Sequence, residues 1–281
     1  MTDDSLGPDP ETARRLEELA LKRWPEVVAG IDAAVARFED QALTARFGTP
    51  LAADDRKANP FHTSHVIQML LSAGIDNLNG IRHLIWGRPP ESSDRPVLHQ
   101  ATHFVLARAA IEDFATALWI LGPSSRPVRV ERTLRWHVQN IQDRSRAIEV
   151  LGVTQHSGED RLKRLEEIAE RSLGAVPPKF RGRGFTATEV VKYADATNPE
   201  GGNQELSTEF LWRLCSGFTH GRFWSSLLFL EQEHLATDDP DVISVRMTSD
   251  LTRALWPTKE AMHLLERLLK LHNQRNTPHF P

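Results

Sequence analysis

Arg213, Ser216 and His220 fall within one short stretch, RLCSGFTHGRFW, residues 213–224. These three residue types can act together on a phosphodiester. A guanidinium keeps its charge and matches phosphate geometry. An imidazole titrates near neutral pH and can move protons. On a helix, seven residues turn through about 700°, which returns His220 to within about 20° of Arg213. The two then stand about 10 Å apart along the axis, with Ser216 between them. Phe218 falls on another side, and Leu214 and Phe210 serve the core. Gly217 and Gly221 each cost a helix about 1 kcal/mol against alanine. Each therefore needs a reason, either a close approach of another backbone or the end of the helix at His220. Cys215 faces elsewhere and reads as a small buried hydrophobe.

Arg213, the six residues LCSGFT and His220 resemble the Arg-x(4–6)-His signature of HEPN-type helical proteins. Leu214 stands where that family often carries Asn, Asp or His. The resemblance implies a metal-independent RNA endonuclease, or an RNA-binding effector, of a bacterial toxin–antitoxin or phage-defence system. Arg213 would grip the scissile phosphate, and His220 would be the general acid/base on the ribose 2′-hydroxyl or the leaving 5′-oxygen. Ser216 and Glu112 would support them. RNA, a second copy of the chain and an antitoxin or other regulatory protein are the implied partners, with no cofactor and no metal. The same residues also suit a non-catalytic helical interaction or regulatory protein. There His220 would serve the terminal carbonyls and dipole of its helix, with Gly221 at C′, and Arg213 would form a structural ion pair.

The elements that must position these groups are helical. The chain has 281 residues, is 40% hydrophobic and 26% charged, and carries a net charge of −4. It can bury a core, and its charge argues against coating nucleic acid by bulk attraction. One cysteine excludes an internal disulfide and suits a reducing cytosol. MTDDSLGPDPE has no apolar core, so no signal peptide and a cytoplasmic location are expected. Residues 103–121 carry Arg108, Glu112 and Asp113 in their middle, so no membrane span is expected.

Helices are expected over 9–23, from Pro25 to Gly48, over 60–86, 97–121, 127–151, 158–173 and 187–196, and from about 205. A last one, 250–273, is expected to be interrupted at Pro257. Residues 49–58 read as polar linker. VISVRMT, 242–248, alternates as a strand and pairs with 230–236 across TDDPD. The expected fold is an all-α helical bundle with one small β-hairpin near residues 230–248. Residues 1–8 are expected to be disordered. A helical segment, 9–90, then precedes a bundle core, 97–273, and a tail, 274–281.

Other charged groups are candidates too. Arg108 and Glu112 lie one turn apart on the most apolar helix and should meet each other or charges on neighbouring helices. Glu112 can orient His220 only if that helix faces the motif helix. Residues 126–146 hold six arginines that spiral round their helix, so some must pair inward. Arg129 and Arg132 there, Arg108, and Lys179 and Arg181 in the loop KFRGRG are the candidate phosphate binders. His62, His65, His83, His99 and His103 tempt a metal reading. In a helical hairpin, however, the first two lie about 25–30 Å from the last two. No nucleophile elbow, P-loop or dinucleotide-binding glycine pattern is present.

Overall fold

The structure is a computed structural model that describes residues 10–40, 44–87, 95–152, 158–182, 184–198 and 206–278. Among these lie α1 (Pro10–Asp40), α2 (Pro50–Ala58), α3 (Thr63–Trp86), α4 (Thr102–Leu121), α5 (Arg126–Val150) and α6 (Glu159–Leu173). They are followed by α7 (Ala187–Ala196), α8 (Thr208–Thr219), α9 (Phe223–Phe229), β1 (Glu231–Leu235), β2 (Ser244–Thr248) and α10 (Leu251–Arg275). The chain is all-α with one antiparallel hairpin, paired from Glu231 with Thr248 to Leu235 with Ser244. The expected disordered start lies outside the described residues.

Several boundaries differ from expectation for physical reasons. Residues 49–58 are a helix, not a linker. The Thr49 hydroxyl accepts from the Ala52 N–H at 3.2 Å, and Pro50 supplies the preset first φ. The segment lacks apolar periodicity because two of its inward groups are carboxylates, Asp54 and Asp55. Pro25 and Pro257 do not break their helices: α1 runs unbroken for 31 residues and α10 for 25. Beside Pro25, the Trp24 side chain is fully buried and its indole N–H donates to the Leu251 carbonyl at 3.1 Å. Packing there outweighs the one lost helix bond. Helix α9 was not expected at all.

The contacts divide the chain into two units, each made of three separate stretches. Unit 1 comprises Met1–Asp40, Ala73–Glu112 and Gly202–His263. Within it Trp24 meets Trp86 edge-on at 6.0 Å. The Glu17 carboxylate accepts from the Leu251 and Thr252 N–H groups at 3.0 and 3.1 Å, which caps the start of α10. Phe104 stacks on Phe218 at 4.1 Å and meets Phe229 edge-on.

Unit 2 comprises Gln41–Ser72, Asp113–Gly201 and Leu264–Pro281. Its core joins Val130, Leu134, Val138 and Ile141 of α5 to Leu165, Ile168 and Ala169 of α6, with Ala58 and Phe180. Asp55 accepts from both the N–H and the hydroxyl of Ser64, at 2.9 and 2.7 Å, which joins α2 to the first turn of α3.

Candidate functional site

Helix α8 starts cleanly because the Ser207 hydroxyl accepts from the Phe210 N–H at 3.1 Å. One side of it is buried through Leu211, Leu214, Cys215 and Phe218. Cys215 is fully buried, and burial pushes its thiol well above the usual range, so it is no nucleophile.

A second side faces α4 through a polar ladder. The Trp212 indole N–H donates to Glu112 Oε1 at 2.7 Å. One turn later, Ser216 Oγ accepts from Arg108 Nε at 2.9 Å. Arg108 also pairs with Glu112 at 2.7 Å. As α8 advances from 212 to 216, its partner on α4 retreats from 112 to 108, so the two helices run antiparallel here. Phe104 on Phe218 continues the sequence. The central helix thus faces the motif helix, and Glu112 and Ser216 are held by protein groups. All four members of the ladder have a partner, as half-buried polar groups require.

The third side looks outward. Arg213 is exposed and donates through Nε and Nη2 to Glu209 Oε1 at 2.9 and 2.7 Å, within its own helix. Its guanidinium carbon lies 5.7 Å from the centre of the Trp212 ring. His220 is also exposed, and among the described residues its imidazole has no hydrogen-bond partner.

The end of α8 explains both glycines. His220 is the C-cap, with φ −99° and ψ 11°. Gly221 has φ 59°, and its N–H donates to Phe218 O at 3.2 Å, while the Arg222 N–H reaches back to Gly217 O at 2.8 Å. These two bonds make a Schellman ending with Gly221 at C′. Gly217 serves close approach instead: a Cβ there would stand 2.6 Å from Ser225 Cβ and 3.0 Å from the Trp224 ring.

The remaining candidate cations lie in unit 2. Arg129 is 2% exposed, forks onto both oxygens of Asp54 at 2.7 and 2.9 Å, and donates twice more to the Pro123 and Ser124 carbonyls. Four of its five N–H groups are used and the side chain is buried, so it is a strut. Burial pushes the Asp54 carboxyl up, and the hydrogen bond from Arg129 opposes that. Arg132 donates to the Trp119 carbonyl at 2.5 Å and is stacked against the rings of Trp119 and Tyr193 at 4.7 and 4.6 Å.

Arg181 is clasped by Glu166 and Glu159, which raise its pKa, and in return it draws the Glu166 carboxyl down. A recess of about 540 Å³ beside it includes Gln142, Asp143 and Arg146 in its wall. Its charges cancel, since Arg146 pairs with Asp143 at 3.0 Å. Lys179 is exposed, in a left-handed turn at φ 55°, with no ion-pair partner among the described residues.

The histidines separate. His62 and His65 are in ring contact at 4.8 Å in unit 2, while His83, His99 and His103 belong to unit 1. Among the described residues no group of three or more His, Cys, Asp or Glu is placed to hold a metal ion. No described helix is long and apolar enough to cross a membrane. Sequence reasoning missed Trp212, a donor that reaches α4, and Glu209, the partner of Arg213. The i, i+4 spacing of Glu209 and Arg213 was a usable signal for the second. No family model, curated protein or solved structure matches this chain.

Proposed function

We propose that the solvent face of α8 binds an RNA phosphodiester and cleaves it without a metal. One observation supports this: Arg213 and His220 are both exposed on the helix that α4 holds in place, and the imidazole is unengaged among the described residues. Arg213 holds the phosphate. His220, neutral, takes the proton of the ribose 2′-hydroxyl as the 2′-oxygen attacks phosphorus. The P–O5′ bond breaks, and the leaving oxygen takes a proton from solvent. The products are a 2′,3′-cyclic phosphate and a 5′-hydroxyl end.

Glu209 does not block this site. The pair it makes with Arg213 is exposed and lies within one helix, a class worth about 0.3–0.5 kcal/mol. A phosphate can replace it. Glu112, Arg108, Ser216 and Trp212 act here as positioning residues, since they bond to one another across α4 and α8.

The helix end favours a second function, that of a non-catalytic interaction protein. The Schellman ending accounts for Gly221 and the backbone of His220, and Glu209 accounts for Arg213, with no chemistry required. Incubation of the pure protein with total RNA in EDTA separates the two. Cleavage by wild type, reduced by about 10²–10⁴-fold in His220→Ala, is the expected result for a general acid/base. A folded wild type that leaves RNA intact favours the interaction protein.

A further inference from the structure

Helix α9 leaves most of its apolar side chains outside. Its Ser225 is fully buried, with the hydroxyl donating to the Arg222 carbonyl at 2.7 Å and the Cβ set against Gly217. Four of its large apolar side chains are exposed, Phe223 by 68%, Leu228 by 50%, Trp224 by 46% and Leu227 by 40%, while Phe229 turns in to meet Phe104. At spacings of one, four and five residues these four form one stripe. A four-residue apolar stripe left outside while a serine is buried is more than folding alone selects. Contiguous exposed apolar surface of this kind marks a contact site.

The segment that follows supplies a charge of one sign. From Phe223 to Ile243 the chain has five acidic residues and no Lys or Arg. Glu231 and Glu233 lie on β1, and Asp238, Asp239 and Asp241 lie in the turn; all five are exposed. Arg246 pairs with Glu233 at 2.8 Å, but no ion pair to the three turn aspartates is present among the described residues. Leu235, Val242 and Ile243 add exposed apolar surface to the same hairpin. The Gln232 amide donates to the Leu227 carbonyl at 2.6 Å, so β1 is tied to α9.

We infer that α9 and the acidic hairpin form a docking surface for an amphipathic, Lys/Arg-rich helix of a partner protein. The apolar stripe takes the apolar side of that helix, and the aspartates meet its cations, which supplies complementarity and steering. A second copy fits poorly. A two-fold contact sets the same patch against itself, and here it would bring the three turn aspartates of each copy together. An anionic lipid surface is repelled by the same charges. The inference does not rest on phosphodiester cleavage.

The probe is a fluorescein-labelled 18-residue amphipathic peptide of Leu and Lys, followed by anisotropy against the full chain. A peptide of the same pattern with Glu for Lys is the control. Two variants are compared, Phe223→Ser with Leu227→Ser, and Asp238→Asn with Asp239→Asn and Asp241→Asn. All five side chains are exposed, and circular dichroism confirms that each variant is folded. The inference predicts that wild type binds the Leu/Lys peptide, that each variant binds it at least tenfold more weakly, and that the Leu/Glu peptide does not bind. It is overturned by equal binding to wild type and variants, by no binding, or by equal binding of both peptides. It is also overturned if light scattering shows a dimer that Phe223→Ser with Leu227→Ser dissociates, or if vesicles with anionic headgroups bind wild type in preference to the Leu/Lys peptide.

Discussion

Arg129 in unit 2 and Arg213 in unit 1 are the same side chain under opposite constraints. Arg129 is 2% exposed, and its partner Asp54 is fully buried. Its fork and two carbonyl contacts use four of its five N–H groups, and burial shields the fifth. Arg213 makes two bonds to one oxygen of Glu209, in water, on one helix. A buried pair is hard to break and cannot be borrowed by a ligand. An exposed pair is worth little and can be exchanged. Arg108, half-buried between Glu112 and Ser216, lies between the two extremes. Exposure, more than residue type, decides which arginines in this chain can meet a phosphate.

The first way to break this comparison is Arg129→Ala. It leaves buried Asp54 with only the longer pair to Arg126 at 3.4 Å and is expected to cost about 3 kcal/mol in urea denaturation. Replacing Arg129 and Asp54 together by apolar residues is expected to recover most of that loss.

Acid comes next. His103 is fully buried, and its pKa is pulled down to about 4, first by burial and then by His99. The folded state therefore prefers neutral His103, while the unfolded chain takes up a proton below about 6.5. Stability is complete above that pH and falls as pH drops from 6.5 towards 4, by about 3 kcal/mol for this residue. His137 in unit 2, lowered to about 4 by burial and then by His65, adds a slope of the same sign. Urea titrations across this range, with His103→Phe beside wild type, measure the share of the slope that belongs to unit 1.

Trp212→Phe removes one donor from Glu112 and keeps an aromatic, though smaller, side chain. Its expected cost is about 1–2 kcal/mol, the effect of a half-buried bond to a charged group. Glu209→Gln has the smallest effect, below about 0.5 kcal/mol. It sharpens the comparison, because freeing Arg213 should strengthen RNA binding where the Trp212 change, acting through the position of α8, should weaken it.

Much of this was legible in the sequence. The alternation of Ile243, Val245 and Met247 announced β2, and the helix expected over 187–196 is α7, where the Thr186 hydroxyl accepts from the Glu189 N–H at 3.0 Å. The pairing of Arg108 with Glu112 and the burial of Cys215 were also readable. What stayed hidden has a common cause. Helix α2 turns Asp54 and Asp55 inward beside Leu51 and Ala58, and α9 turns Ser225 inward, so the apolar periodicity of each is interrupted. The partners of Ser216 and Trp212 lie about a hundred residues away on α4, beyond any local pattern. Pro25 suggested a break because the local cost of proline is visible and the burial of Trp24 that offsets it is not.

The most direct test of the proposed site is the NMR titration of ¹⁵N-labelled protein with a 2′-deoxy oligonucleotide, which binds but cannot be cleaved. The account predicts that the His220 imidazole and Arg213 side-chain signals shift together, with one midpoint, and that Arg129 stays still. Movement of neither group, with shifts confined to other cations such as Lys179, would contradict it.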